Sequence, residues 1–158
     1  MRKDIMRKKT VIRIASAIIT DASARCLLVR KRGTSHFIQP GGKIESGESP
    51  LAALRRELYE ELGLASEAAQ FTYVGSFTDV AVNEPGSTLS AEIYHIHPEK
   101  TDFQPAAEIE EMYWYSSHHD RPILLAPLTV NHVLPLVETL ACHSLKMKTL
   151  PANQGHID

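Results

Sequence analysis

Three glutamates, Glu57, Glu60 and Glu61, closely follow a glycine-rich segment and lie at positions i, i+3 and i+4. On a helix this spacing projects the three carboxylates from the same side, where like charges repel one another. Any one of them is explained well enough as part of a solvated acidic helix face. Three clustered acids opposite a leucine stripe and beside a glycine turn are better explained by a bound cation. Carboxylates and a backbone carbonyl are hard oxygen ligands, which indicate Mg²⁺ or Mn²⁺ rather than zinc.

The element that must position these acids is an amphipathic helix with clear start and stop signals. Ser49 is predicted to be its N-cap and Pro50 its first residue. Gly63 suits the left-handed position that follows the last helical residue. Leucines at i, i+3, i+7 and i+11 form one apolar stripe, made of Leu51, Leu54, Leu58 and Leu62.

The residues around the three acids match a complete family signature. Gly42 is followed after five residues by Glu48, and after seven more by a continuous run from Arg56 to Leu64. Residues 42–64 match every position of the Nudix box in this way, so the sequence resembles the Nudix hydrolases. That resemblance implies metal-dependent attack of water on one phosphorus of a diphosphate linkage. One departure lies just upstream, where Gln39 in FIQPGG stands at a position that is often aromatic or aliphatic in the family.

The resemblance also implies a fold. It extends beyond the box to roughly residues 10–140, because predicted strands flank the box in the expected order. The implied architecture is α+β, the Nudix fold, with a mixed β-sheet sandwiched between α-helices and a loop–helix–loop catalytic motif. The chain contains neither an internal repeat nor a linker, so residues 1–158 are predicted to form a single domain. Its core is expected at about residues 10–146, with flexible termini.

Each matching residue acquires a role from the resemblance. The metal would be held by four groups, the Gly42 carbonyl and the carboxylates of Glu57, Glu60 and Glu61. Arg56 would orient a neighbouring carboxylate through its planar donor fork, and Glu48 would belong to the same charge network. Gly41 and Gly42 would let the backbone turn sharply and approach a substrate phosphate.

An acid outside the box often supplies a further ligand or the general base in this family. The segment before the aromatic run MYWY offers Glu108, Glu110 and Glu111. In an extended strand, residues 108 and 110 share one face, so spacing separates these two only if a turn precedes the strand. An acid followed directly by Ile resembles the family pattern and favours Glu108, which completes the implied catalytic set; Glu111 is the second choice.

Substrate contacts are sought near the box. Gln39 could face substrate or lie at a strand edge, and Phe37 could stack on a base, although aromatic residues in strands are more often core. The strand-end cluster Arg30, Lys31 and Arg32 could meet a polyphosphate or form a solvated edge. Three weaker candidates are Phe77 and Tyr113 for stacking and the pair His118-His119 for metal; Trp114 is predicted to be core.

The substrate class is reached by elimination. ADP-ribose hydrolases tend to have proline about fifteen residues past the box, where this chain has Asp79. Dinucleoside-polyphosphate hydrolases tend to have tyrosine slightly further on, where it has Val80, Ala81 and Val82. A (deoxy)nucleoside triphosphate or damaged nucleotide is therefore the leading substrate. Two alternatives stay open, an ADP-ribose or nucleotide-sugar diphosphatase and a regulatory module that binds nucleotide without turnover.

The remaining elements follow from local pattern. A hairpin is predicted from residues 10–20 and 26–31 around the turn-rich DASAR segment, and the segment 98–110 is expected to be a loop. A C-terminal helix is predicted from Thr129 to about Lys146, with Pro135 kinking it or marking its true start. Further strands are expected at 71–82, 89–97 and Met112–Tyr115.

Composition narrows the partners and the compartment. With 17 Lys+Arg and 19 Asp+Glu the net charge is −2, which argues against stable binding to nucleic acid. Cys26 and Cys142 are far apart and expected to be reduced, as in a cytoplasmic protein. The apolar run TVIRIASAIIT is too short to span a bilayer, and the basic residues before it form at most a weak membrane contact. A small nucleotide partner is expected, and a homodimer is compatible with the sequence.

Overall fold

A computed structural model describes residues 10–118 and 121–149 of the chain. The predicted flexible termini, the basic residues of the N-terminus and His119 lie outside these ranges. The strands are β1 (Thr10–Ile19), β2 (Cys26–Lys31), β3 (His36–Phe37), β4 (Gly41–Lys43), β5 (Thr72–Val80), β6 (Ser87–Ile96), β7 (Ile109–Tyr115) and β8 (Leu124–Leu125). The helices are α1 (Pro50–Leu62) and α2 (Leu134–Thr149), with a 3₁₀ turn at Ala68–Gln70 and a π-helical turn at Thr129–Val133.

A mixed sheet lies between the two helices, as predicted. Its strand order is β4-β1-β6-β5, in which β1 and β6 run parallel and the outer pairs are antiparallel. Antiparallel β2 and β7 form a second, two-stranded sheet, and parallel β3 and β8 a third. Alternate residues of β1 point to opposite faces, so Ala17 packs in the same core cluster as the α1 leucines, and Ile18 in the cluster that contains Val137 of α2.

The predicted β1–β2 hairpin is wrong. One edge of β1 pairs with β4 and the other with β6, which leaves no edge for β2. Only an isolated bridge between Thr20 and Cys26 joins the two segments before β2 pairs with β7. The turn signal itself is correct, because the Asp21 carboxylate accepts the backbone N–H groups of Ser23 and Arg25 at 3.0 and 2.8 Å.

Both helix predictions are confirmed. Helix α1 begins after Ser49, whose hydroxyl accepts the Ala52 backbone N–H at 3.1 Å, and it ends at Gly63 with φ 71°. The C-terminal helix is continuous from residue 127, and a π-helical turn at Thr129–Val133 precedes its α-helical part at Leu134–Thr149. Pro135 therefore follows a local distortion of the helix and does not mark its start. No helix in the two described ranges is long and apolar enough to cross a membrane.

The approach of β4 to β1 depends on a glycine. Gly41 has φ 141°, a value that side chains rarely adopt, and a Cβ placed there would lie 2.1 Å from the Ala15 carbonyl oxygen. Gly47 also has positive φ, at 84°, but a Cβ there would have nothing within 4 Å. Of these two glycines, Gly41 is required for close packing and Gly47 only for its backbone angle.

We expect Gly41→Ala to destabilise the protein far more than Gly47→Ala. The first substitution combines strain with a backbone clash and should lower the free energy of unfolding by about 3 kcal/mol or more. The second carries only the left-handed backbone penalty, about 1 kcal/mol. Urea unfolding of the two variants beside the wild type measures both values. Equal losses would show that β4 can move away from β1 without cost.

Candidate active site

A cavity of about 480 Å³ opens beside the junction of β4 and α1. One part of its wall carries charged groups and glycine backbone, contributed by Lys31, Gly41, Gly42, Glu57 and Glu108. Another part is apolar and includes Ile12, Ile14, Leu89 and Leu128. Its remaining polar lining includes Ser16, Gln39, Asn83 and Thr129. This combination of a charged wall and an apolar wall suits a ligand that is ionic at one end and flat and apolar at the other.

Gly41 and Gly42 form the part of the cavity wall that we call the glycine wall. Glu61 lies behind it and is 1% exposed. Its Oε1 accepts the Gly41 backbone N–H at 3.0 Å, whereas its buried Oε2 has no hydrogen-bond partner. Burial raises the pKa of Glu61 from its usual 4.5 to about 8; the Gly41 N–H and Lys31 oppose this rise, and Glu57 and Glu108 add to it. A carboxylate with a desolvated, unpartnered oxygen binds either a proton or a cation.

Glu57 is the second acid of the site, one helical turn before Glu61. A Cβ at Gly42 would lie 2.5 Å from the Glu57 carboxyl carbon, so the absence of a side chain there is what admits this carboxylate. Arg56 Nη1 donates to Glu57 Oε1 at 3.0 Å. Burial raises the pKa of Glu57, while the Arg56 hydrogen bond and charge oppose the rise.

Arg56 fastens the helix to the loop that precedes it. Its Nε and Nη2 donate to the two oxygens of Glu48 at 2.8 and 2.9 Å, which is a two-point fork. The Arg56 hydrogen bond lowers the pKa of Glu48 to about 2. The predicted function of Arg56, orienting neighbouring carboxylates, matches these contacts with Glu48 and Glu57.

Glu60 lies at the exposed side of the other two acids. Its side chain is 50% exposed, lies 3.6 Å from Arg56 Nη1, and does not line the cavity. In an α-helix, residues four apart differ by about 40° in direction and residues three apart by about 60° in the opposite sense. Glu60 is therefore rotated about 100° from Glu61, and within the described residues no three acidic, His or Cys side chains form a group that could hold a metal. Arg56 Nη1 nevertheless contacts both Glu57 and Glu60, at 3.0 and 3.6 Å, so Glu60 approaches Glu57 from the exposed side without lining the cavity.

The structure separates the acids outside the box. Ala107 has φ 54° in a turn, and β7 begins only at Ile109, so the turn needed to separate Glu108 from Glu110 is present. The Ala106 N–H donates to the Glu61 carbonyl at 2.8 Å, which ties this turn to α1. Glu108 lines the cavity, where its Oε1 lies 3.1 Å from Lys31 Nζ.

Glu110 and Glu111 point elsewhere. A bulge opposite Arg30 and Lys31 makes Ile109 the partner of Lys31 and Glu111 the partner of Arg30. Glu111 binds Arg30 Nη2 at 3.2 Å and also contacts Arg121, and these arginines lower its pKa. Glu110 is 47% exposed and 3.5 Å from Arg30. Neither acid lines the cavity, so the second choice, Glu111, is occupied by structural ion pairs.

The substrate-contact candidates divide in the same way. Gln39 and Lys31 line the cavity, whereas Arg30 and Phe37 do not. Phe37 is 3% exposed and packs edge-on against Tyr113 with ring centroids 6.1 Å apart, so the stacking interpretation is wrong and it belongs to the core. Arg30 is held by Glu111 and by the Thr34 carbonyl, which accepts its Nη1 at 2.9 Å.

Weaker candidates lie away from the cavity. Phe77 and Tyr113 pack against one core cluster and Trp114 against the other. His118 is exposed and also stays outside the cavity lining. Sequence reasoning missed Ser16, Asn83 and Thr129, which line the cavity from distant segments and belong to no motif.

Comparison with known proteins places this arrangement in a family. The family model described as the NUDIX domain matches residues 11–126. An 8-oxo-dGTP diphosphatase of Haemophilus influenzae is 36% identical over 89 residues, which cover 48% of this chain and 65% of that protein. An isopentenyl-diphosphate Delta-isomerase of Serratia proteamaculans is 35% identical over 111 residues, which cover 66% of this chain and 59% of that protein. The chain thus spans less than two thirds of the length of these curated relatives.

Among solved structures, a MutT NUDIX hydrolase from Burkholderia pseudomallei superposes with a TM-score of 0.65. The match covers 84% of this chain and 98% of that one at 22% identity. At that identity the likeness supports the fold.

The raised pKa of Glu61 predicts how stability varies with pH in metal-free buffer. Folding raises this pKa from about 4.5 to about 8, so the folded state holds a proton that the unfolded state loses between these values. Stability from this group is therefore full below about pH 4.5 and declines as pH rises towards 8. As pH rises from 5 to 8, the free energy of unfolding of Glu61→Gln should increase relative to that of the wild type by on the order of 2 kcal/mol.

Urea unfolding of both proteins in EDTA at several pH values measures the difference between them. Subtracting the two profiles removes the titration of groups that do not interact with Glu61. A difference that stays constant with pH would mean that Glu61 is ionised throughout.

Proposed function

Because this chain is a member of the NUDIX family, we propose that it is a diphosphohydrolase that cleaves a diphosphate linkage in a (deoxy)nucleoside triphosphate or damaged nucleotide. The observation that carries the proposal is that buried Glu61 and cavity-lining Glu57 come from one helix and approach Gly41 and Gly42, in a cavity that Lys31 and Glu108 also line. The name of the Haemophilus influenzae relative, an 8-oxo-dGTP diphosphatase, supports an oxidised purine nucleotide. The apolar wall of the cavity suits a base.

The residues of the site fit a hard divalent cation. Glu61 Oε2 is buried without a partner, and the missing side chain at Gly42 admits the Glu57 carboxylate beside it. Mg²⁺ or Mn²⁺ would be held by Glu57, Glu61 and the Gly42 carbonyl, with Glu60 available at the exposed side. Such an ion, when bound, neutralises phosphate oxygens and acidifies or orients the attacking water.

The chain itself supplies the remaining functions. Lys31 carries a positive charge into the cavity, where it can bind a phosphate oxygen and offset the charge that develops there. Glu108 lines that cavity and is ion-paired with Lys31, which supports a role for its carboxylate as the acceptor of the water proton. Arg56 keeps Glu57 and the loop at Glu48 in fixed positions through four hydrogen bonds, the fourth to the Lys43 carbonyl.

A hydrolysis screen tests this function directly. With Mg²⁺ or Mn²⁺, the purified protein should release pyrophosphate or phosphate from 8-oxo-dGTP or another nucleoside triphosphate. Glu61→Gln keeps the shape and the Gly41 contact while removing the charge, so kcat should fall by roughly 10³-fold or more at saturating metal. Products measured by anion exchange, on a panel that includes ADP-ribose, nucleotide sugars and isopentenyl diphosphate, identify the reaction. Turnover confined to one of these last three substrates, or near-normal activity of the variant, would contradict the proposal.

The loop acids give a matched pair for the catalytic base. Glu108→Gln should lower kcat by roughly 10²-fold or more, because a base must face the reacting water. Glu110→Gln is the control, since it makes the same chemical change two residues away on an exposed side chain outside the cavity. Steady-state rates with the preferred nucleotide separate the two variants. Equal rates for both would assign proton abstraction to an acid inside the box.

A further inference from the structure

Gln39 carries a buried hydrogen-bonding group that the proposed chemistry does not use. The residue is 3% exposed and lines the cavity two positions before Gly41. Its Oε1 accepts a hydrogen bond from the Thr129 hydroxyl. Its Nε2 is buried and has no acceptor among the described residues. A donor in this condition is uncommon, because nearly all buried polar groups in native proteins have a partner.

One end of this amide is held by the Thr129 hydroxyl, which donates to Oε1. The backbone beside it is held because strands β3 and β8 run in parallel and the Ala126 N–H donates to the Phe37 carbonyl at 3.1 Å. This pairing brings residues 37–39 alongside the segment that contains Thr129, which is 0% exposed. Because the hydroxyl occupies Oε1, the amide presents its NH₂ group as the unused partner.

The surroundings of the amide indicate what would accept from it. The cavity that Gln39 lines also has apolar walls, including Ile14, Leu89 and Leu128, and its charged groups lie near the glycine turn. In an apolar setting a single fixed donor discriminates strongly, because a ligand that offers another donor leaves both groups unpaired. At the edge that would face this donor, a nucleobase carries either a carbonyl oxygen or an amino group. Only the carbonyl oxygen can accept a hydrogen bond from Nε2.

We propose that Gln39 determines base specificity by donating from Nε2 to a carbonyl oxygen on the substrate base, so that keto bases are preferred to amino bases. Thr129 acts as the positioning residue that keeps the amide in this orientation. The inference rests on the proposed nucleotide hydrolysis and adds the class of base to it.

The test compares dITP with dATP, whose bases differ in having an oxygen or an amino group at position 6. Wild type should favour dITP by about tenfold or more in kcat/KM. Gln39→Met keeps the length of the side chain but removes the donor. It should lower kcat/KM for dITP roughly 10- to 100-fold and change that for dATP by less than about threefold. Gln104→Met, the same change on an exposed side chain outside the cavity, should leave both values unchanged.

Two further measurements keep the inference testable. If Gln39→Met folds poorly because the Thr129 hydroxyl is left unpaired, the double variant with Thr129→Val removes that group as well and should show the same loss of preference. Calorimetric binding of the α,β-methylene analogues of dITP and dATP reports the preference without turnover. A protein that binds the dITP analogue better through Gln39 but hydrolyses neither nucleotide would refute the proposed function and support this inference.

An unchanged dITP-to-dATP ratio in Gln39→Met, in both kinetics and binding, would overturn the inference while leaving hydrolysis intact. That result would mean that the amide donates to an ordered water instead. An initial preference of the wild type for dATP would overturn it equally.

Discussion

The hydrogen bond from the Gly41 backbone to Glu61 is the contact on which the rest of the site depends. It joins strand β4 to helix α1, which carries the acids, with 3.0 Å between the Gly41 nitrogen and Glu61 Oε1. Two glycines make the approach possible, because side chains at Gly41 and Gly42 would meet the Ala15 carbonyl and the Glu57 carboxyl at 2.1 and 2.5 Å. The two glycines therefore lie where the backbone of β4 must approach the acids of α1 closely.

The same contact leaves the Glu61 carboxylate buried with only one of its two oxygens hydrogen-bonded. Glu61 loses most of its water and gains only one N–H donor, so its second oxygen remains unpaired and its proton affinity rises. The core cluster that contains the α1 leucines fixes the helix, so the acid cannot turn away into solvent. A buried acid whose pKa is raised in this way costs local stability, which is typical of functional sites.

How far the sequence predicts this site depends on the range of the interaction. Local signals, such as the Ser49 cap and the glycine at position 63, predict helix α1 to the residue. Strand pairing depends on residues far apart in the sequence. The hairpin prediction is wrong because the sequence of β1 does not indicate that β4 and β6 occupy both of its edges. Spacing at i+3 and i+4 predicts one helix face, but the two directions differ by about 100°, so Glu60 lies at the exposed side while Glu57 lines the cavity. The Gln39–Thr129 contact spans 90 positions and leaves no periodic trace in the sequence.

The two unpaired atoms of the site, Glu61 Oε2 and Gln39 Nε2, are of opposite character. Glu61 Oε2 is an acceptor behind the glycine wall, and Gln39 Nε2 is a donor in the cavity lining. Gln39 lies two residues before Gly41, whose N–H binds the other oxygen of Glu61. Under the proposed function, one ligand would satisfy both by bringing a cation to the first and an oxygen acceptor to the second. A metal-bound nucleotide has this arrangement of charge, since its phosphates carry the ion and its base can carry the carbonyl. Because Gln39 is only two residues before the Gly41 N–H that holds Glu61, the proposed function would position the base and the diphosphate from one short segment.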